Sequence, residues 1–584
     1  MDSILNLRSL LSDKLKFQSV LAAFLMIIVS IAETLGIALL VPILTSLVSS
    51  KNYVLIFLKD NFEAFELISK NNFILFSFIL IIIIYAFKNL FLLFFLSFRS
   101  FFEANCQKYF SNKLFENYLN NSYEFHMSNN SSILLRNITT ETDNIKHACN
   151  ASISFLAEIF ILFGIISFLL FFDFKFTIVL LILLSIVAGF FLILIKPKIN
   201  SWGKKRLDEA GKINKKVTDS LQNIKLIKLW KIEKNFLENF YPSNSNRTEM
   251  VRKLSFFNGV PKIFFESILI FGILTFFLFS FFTGKLVSEI FIYLTVYGVS
   301  ALKIIPSCNI IFNSIISIQF TKPSIEKIIS EFERSRNIIN KLAREEFLMN
   351  FENKLSLRNV SYLYPKTKNS VLEKINVEIF EGEKIGIFGP SGAGKSTFID
   401  LIMGIIKPSS GDIFVNDNKL LNHFDYTWRK NIGYIQQNIL LFDDTLISNI
   451  TLNSKNDLNQ DKLDIVLKRS KVSTFISDLP EGLKTNLGER GLKISGGQRQ
   501  RIGIARALYH NPEILILDES TNQLDEKNEQ EIIQDIFKEF KQKTILMISH
   551  DYELLKKCDK IFHMDQGKIV NIEIINEKKN INNN

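Results

Sequence analysis

The chain has 584 residues, of which 48% are hydrophobic and 56 are Phe, and it carries a formal net charge of +11. This length exceeds one ordinary domain, so two or three are expected. The positive charge comes without a basic-aromatic binding module, which argues against a nucleic-acid binder. The four cysteines (Cys106, Cys149, Cys308 and Cys558) show no CxxC spacing, which argues against a disulfide framework or zinc site.

Hydropathy is uneven along the chain. A helix needs about 20 largely apolar residues to cross the hydrocarbon of a bilayer. Six runs meet that need: Phe17–Leu40, Phe73–Phe98, Ile153–Phe172, Thr177–Ile195, Ile263–Phe282 and Ile290–Ile311. The first is too long for a signal peptide and lacks a small-residue cleavage pattern. The third and fourth are joined only by Asp173–Phe176, a tight turn on one side of the membrane. The connections Arg99–Ser152 and Lys196–Lys262 are long and rich in Lys and Arg, which places them, and both chain ends, in the cytoplasm.

Within the connections, Tyr53–Ile68 reads as an amphipathic helix, on the outer membrane surface or against the neighbouring spans. Asp219–Phe236 is helical in period, with Leu221, Ile224, Ile227 and Leu229 able to share a face. Glu33, Lys88, Glu158, Glu266 and Lys303 interrupt the spans, and each costs about 2.5–3.5 kcal/mol at a helix centre facing lipid. They are expected to face a cavity or one another, with snorkelling an equal reading for Lys88 and Glu158. Glu33, Glu266 and Lys303 are the candidates for contact with a transported molecule. The expected division is a membrane domain over 1–320, a linker over 321–353, a nucleotide-binding domain over 354–576 and a disordered tail over 577–584.

From Lys354 onward strands alternate with helices, as an α/β domain requires. The apolar strand KIGIF (Lys384–Phe388) leads into GPSGAGKST and then into a helical run. This strand, glycine-rich turn and helix complete the GxxxxGK[ST] phosphate-loop pattern. Gly389, Pro390, Ser391, Gly392, Ala393, Gly394, Lys395, Ser396 and Thr397 are therefore expected to hold the phosphates of ATP on backbone N–H groups and a helix N-terminus. Lys395 would reach the β/γ-phosphates and the Ser396 hydroxyl would ligate Mg²⁺. The buried-strand run Ile514–Leu517 ends in Asp518 and Glu519, a second Mg²⁺ ligand and a general base for water. Tyr364 in SYLYP is able to stack on a purine, although a lone Tyr fits ordinary packing as well.

ISGGQ (Ile494–Gln498), GYIQQN with Gln437, MISHD with His550 and TNLGERG (Thr485–Gly491) together resemble the ATP-binding cassette (ABC) family. Six spans ahead of one such domain resemble an exporter-type half-transporter. The resemblance implies an all-α six-helix transmembrane domain followed by an α/β P-loop nucleotide-binding domain of the ABC type. It implies ATP hydrolysis with Mg²⁺ and a homodimer in which Ser495, Gly496, Gly497 and Gln498 meet ATP held by the other copy. Gln437 then becomes a catalytic and metal-contacting residue, and His550 a catalytic one beside Glu519. It also implies a multi-pass protein of the bacterial inner membrane with its nucleotide-binding domain in the cytoplasm. Departures from the family pattern are Ile494 for Leu, Gln436 where Pro is common, and Asn522 and Gln523 after the base.

IAETLGIALLVPIL, SFLAEIF, PKIFFES and ALKIIPSCNII are similar to lipid-linked oligosaccharide flippases of the PglK type. The cargo implied is an amphiphile, first a lipid-linked oligosaccharide or glycolipid, with drugs, lipid A-like lipids and peptides as alternatives. A membrane regulator that binds ATP with little turnover is the reading from another class. The presence of Glu519, His550 and Ser495–Gln498 argues against it.

Overall fold

The computed structural model describes residues 9–38, 70–282, 287–342, 350–365, 367, 369–420, 426–452, 458–488, 491, 493–519, 533–538 and 540–575. Tyr53–Ile68, Asn522, Gln523 and the tail at 577–584 lie outside them. The chain forms two compact units, Met1–Asn121 with Asn129–Asn340, and Ser122–Ser128 with Lys341–Asn584.

The first unit is helical. Its long helices are α1 (Asp13–Ala38), α2 (Lys70–Leu119), α5 (Thr142–Phe172), α6 (Phe174–Gln222), α8 (Glu233–Phe282) and α9 (Val287–Leu342). Each is long and apolar enough to cross a membrane. Large side chains such as Phe87, Phe171 and Ile193 are exposed on them, a surface suited to hydrocarbon. Pro197, Pro261 and Pro306 stand inside helices, which membrane helices tolerate better than soluble ones. The turn at Asp173 is a single residue: its N–H ends α5 on the Leu169 carbonyl, and its carboxylate accepts from the Phe176 N–H to start α6. Helix α9 continues past the last expected span into the connector, as far as Leu342.

Asp219–Phe236 does not form one helix. A short helix α7 (Ile224–Trp230) stands between α6 and α8, and Lys231 ends it in the left-handed region. Of the four apolar residues expected to share a face, Ile227 is buried while Leu221, Ile224 and Leu229 are exposed.

Beyond their apolar runs these helices meet in a buried polar hub. Helix α4 (Ser131–Arg136) runs into a π-helical turn, Asn137–Glu141, before α5. Glu141 is fully buried and accepts from Arg206 on α6 at 3.1 Å, with Arg136 at 3.7 Å on its other oxygen. Arg206 also donates to Ser324 on α9, and Arg136 to the Asn137 side chain and the Leu207 carbonyl. Gly211 makes room for this hub, because a Cβ there would stand 2.6 Å from the Arg136 guanidinium. π-turns of this kind carry one extra residue and gather at functional places.

The second unit has two sheets. A four-stranded antiparallel sheet has the order β2-β1-β4-β5, formed by β1 (Lys354–Tyr362), β2 (Leu372–Phe380), β4 (Ser410–Val415) and β5 (Asn418–Lys419). The larger sheet has the order β10-β9-β3-β8-β7-β6. Its strands are β3 (Lys384–Phe388), β6 (Ile432–Ile435), β7 (Ile514–Asp518), β8 (Thr544–Ile548), β9 (Lys560–Asp565) and β10 (Lys568–Ile574). All pairings in it are parallel except β9 with β10. Strands β7 and β8 are buried at every position, as expected of parallel strands covered on both faces. The short helix α3 (Tyr123–Ser128), between the second and third spans in sequence, belongs to this unit, and its Glu124 accepts from the Tyr362 hydroxyl at 3.3 Å.

Candidate active site

In open parallel sheets, ligands bind beyond the carboxyl ends of the strands. Here the four adjacent strands β3, β8, β7 and β6 each deliver one part of the site from that end. Strand β3 feeds Gly389–Thr397, β8 feeds Ser549 and His550, β7 ends in Asp518 before Glu519, and β6 precedes Gln436 and Gln437.

The phosphate loop closes on helix α10 (Lys395–Ile402), capped by Gly394 at φ 96°. A Cβ on Gly394 would stand 2.8 Å from Leu372, and one on Gly389 would stand 2.2 Å from the Met564 carbonyl. The first position needs glycine for its backbone angle, and the second for close approach. Lys395 is buried and donates to the Gly389 and Pro390 carbonyls at 2.7 and 3.1 Å. Burial lowers its pKa, and Glu519 and Asp518 oppose that shift. Ser396, between the buried Lys395 and Thr397, is exposed. Tyr364 lies beside the same helix, its hydroxyl 2.9 Å from that of Thr397.

The three residues expected to act on water come together. The Glu519 carboxylate accepts from Gln437 Nε2 at 2.6 Å and lies 2.7 Å from His550 Nε2. Glu519 has φ 45°, an unfavourable region for a residue with a side chain, and its N–H bonds the Ile548 carbonyl of β8. Strain of this sort costs of order 1–3 kcal/mol and concentrates at active sites.

Asp518 is largely buried, and burial raises its pKa. The Tyr434 hydroxyl donates to its Oδ2 at 2.9 Å and opposes that rise. Asp400 on α10, one turn beyond Ser396, is pushed up to about 6 by its own burial and by Asp518. Asp400 belongs to none of the quoted motifs, and Tyr434, although it stands inside GYIQQN, carries no expected role there. Tyr434 sits in IGYI, where alternation with buried neighbours reads as a plain strand residue.

Ser495 opens another helix, α11 (Gly496–Tyr509), through a capping box. The Gln498 N–H donates to Ser495 Oγ at 3.2 Å, and the Ser495 N–H donates to Gln498 Oε1 at 2.9 Å. The Ser-x-x-Gln spacing was available in the sequence as a helix-start signal. Among the described residues no hydrogen bond joins Ser495–Gln498 to the phosphate loop. Ile494 is buried in the core, where an apolar residue of Leu size fits. Loss of the cap in Ser495→Ala should lower stability by about 0.5–2 kcal/mol, read as a lower melting temperature.

The intramembrane charges form a second constellation, in the first unit. Glu33 on α1 is buried and pairs with the buried Lys88 of α2 at 3.2 Å and with Lys303 of α9 at 3.0 Å. Lys88 is thus paired rather than snorkelling. The Lys303 side chain is 42% exposed, which makes it the accessible member. Glu158 adds a carboxylate near Ser307, Glu33 and Lys303. Glu266 is exposed on α8. An apolar cavity of about 230 Å³ lies between α5, α6, α8 and α9, lined by residues including Leu169, Leu180, Leu269, Ile304 and Phe312.

A six-helix apolar unit joined to a phosphate-loop unit with a carboxylate held by Gln and His defines a membrane transporter powered by ATP. The ABC transporter transmembrane region matches residues 17–299 and the ABC transporter domain matches 372–522, together well over half of the chain. The chain belongs to the ABC transporter family, as an exporter-type half-transporter that binds ATP and couples its hydrolysis to transport. It is 28% identical over 475 residues to the ATP-dependent lipid A-core flippase of Wigglesworthia glossinidia brevipalpis, covering 78% of each chain. It is also 28% identical over 443 residues to the multidrug resistance ABC transporter ATP-binding and permease protein of Lactococcus lactis subsp. lactis (strain IL1403), covering 74% of this chain and 72% of that one. The structure of a bacterial Atm1-family ABC exporter with ATP bound superposes with a TM-score of 0.77 at 20% identity, covering 97% of this chain and 96% of that one.

Proposed function

We propose that two copies of this chain form a flippase that moves an amphiphile with a polar, phosphate-bearing head and a hydrocarbon tail, first a lipid-linked oligosaccharide or glycolipid. The observation that carries this reading is the Glu33–Lys88–Lys303 cluster with Lys303 half exposed. Burying charge among spans is costly, and its usual use is a polar ligand path. The polar residues at one end of the apolar cavity, Thr177 and Tyr297, bond each other at 2.8 Å and so ask for no polar partner. Along α9 the lining runs from Tyr297 to Phe312, a rise of about 22 Å, a length suited to a linear chain. The relative named as a lipid A-core flippase supports a lipid cargo, and the one named for multidrug resistance supports drug export as the second reading.

In this reading the protein sits in a bacterial inner membrane with its nucleotide-binding domain, residues 354–576, in the cytoplasm. ATP lies between the phosphate loop of one copy and Ser495–Gln498 of the other. Lys395 exchanges the Gly389 and Pro390 carbonyls for phosphate oxygens. Glu519 removes a proton from the attacking water while Gln437 and His550 hold its carboxylate in place. The donor set fits Mg²⁺, since the exposed Ser396 hydroxyl and the Asp518 and Gln437 oxygens are hard ligands. When bound, Mg²⁺ offsets the charge of the phosphate oxygens. ATP drives the cycle by binding the closed dimer more tightly than the open one.

The test is flipping of a fluorescent lipid-linked oligosaccharide in proteoliposomes. The wild type is expected to flip it with ATP, and Lys303→Met to flip it several-fold more slowly. A wild type that hydrolyses ATP yet leaves the lipid in place would remove this cargo, and drug transport would be assayed next. Equal flipping by Lys303→Met would remove the cluster from the cargo path.

A further inference from the structure

We propose that Tyr434 is a positioning residue for Asp518, holding the carboxylate in the orientation that receives the divalent cation of the ATP complex. The contact joins two neighbouring strands. Tyr434 stands in β6 opposite Ile516 of β7, and its hydroxyl reaches past the end of β7 to Asp518 Oδ2 at 2.9 Å. The tyrosine ring packs against a core cluster that includes Ile514 and Ile516, which fixes the direction of its C–O bond.

A carboxylate at the end of a strand rotates freely about its last bond unless one oxygen is tied. A hydrogen bond from a packed phenol ties one oxygen and sets where the lone pairs of the other point. Partners one step beyond a ligand orient it in this way throughout metal sites. The neighbourhood makes such a tie useful. Asp518 is largely buried and has Lys395, Glu519 and Asp400 as charged neighbours, so its side chain is pulled toward one and pushed from the others. The Tyr434 hydroxyl supplies a neutral, directional hold that none of these charges provides. Two positions after Ile435, the same chain segment supplies Gln437 to Glu519, so one strand steadies both carboxylates of the Asp-Glu pair.

The alternative is that Tyr434 only fills space. Tyr434→Phe separates the two, because it keeps the ring and removes the hydroxyl. The full-length protein carrying Glu519→Gln is titrated with Mn²⁺ in the presence of ATP and followed by electron paramagnetic resonance. A fluorescent ATP analogue is titrated separately in EDTA. Adding Tyr434→Phe is expected to weaken Mn²⁺ binding about tenfold, the lower end for loss of such a partner, while metal-free nucleotide binding stays where it was. In the Glu519 background, the Mg²⁺ concentration for half-maximal ATPase is expected to rise by a similar factor, with the rate recovering at saturating Mg²⁺. Unchanged Mn²⁺ affinity would overturn the proposal. So would an equal loss of nucleotide binding in EDTA, which would mark a packing role.

Discussion

Replacing Glu519 by Gln is expected to lower ATP turnover by about 10²- to 10⁴-fold, the usual contribution of a positioned general base, and to leave ATP bound. The substitution is nearly isosteric. It preserves an oxygen for Gln437 Nε2, now at 2.6 Å, and leaves the backbone bond to Ile548 intact. What it removes is the basic oxygen lying 2.7 Å from His550. The phosphate loop is untouched, so the nucleotide is held but not cleaved. The protein would be incubated with radiolabelled ATP, passed through a desalting column and its nucleotide analysed. The variant should retain ATP where the wild type retains ADP or nothing. Wild-type turnover by the variant would take the base role away from Glu519.

Removing Glu141 is expected to have the largest effect on stability. Its carboxylate is fully buried and joins Arg206 and Arg136, both of which are buried themselves. Glu141→Ala would leave two neighbouring buried guanidinium groups without their buried carboxylate, with Asp208 the remaining carboxylate near Arg136. Breaking a buried pair from one side costs about 3–5 kcal/mol, more than a typical point substitution. The expected readouts are a clearly lower melting temperature in detergent and a lower yield of folded protein. Adding Arg206→Met to Glu141→Ala should restore part of the loss, since it removes one of the stranded charges. If Glu141→Ala melts with the wild type, the hub does not stabilise the protein.

The sequence carried much of this architecture, for different physical reasons in each part. The spans are legible because hydrocarbon imposes length and composition on any helix that crosses it. The phosphate loop is legible because its glycines answer local needs, a φ of 96° at Gly394 and a carbonyl contact at Gly389. Gln437, Glu519 and His550 are scattered along the chain, and the family resemblance rather than spacing grouped them around one carboxylate. Long-range polar partners were not legible. Glu141 lies in a Thr-rich stretch without apolar period, and nothing local shows that it is enclosed by Arg136 and Arg206. Tyr434 is hidden for the opposite reason, because it obeys the strand pattern fully. The cysteines, far apart along the chain, include a pair, Cys106 and Cys149, that the fold makes electrostatic neighbours. Asp219–Phe236 shows the limit of periodicity: its apolar spacing is helical, yet the left-handed Lys231 stops the helix.

The reciprocal bonds between Ser495 and Gln498 bear on the speed of assembly. The turn that opens α11 is already folded within a single chain, with its first N–H groups and side chains fixed by the capping box. A surface that must be ordered on contact gives up conformational freedom at that moment, and one ordered beforehand does not. Whatever this turn meets, the encounter therefore selects for orientation rather than for shape. Its association rate should respond to concentration and ionic strength, with no slow unimolecular phase from this segment.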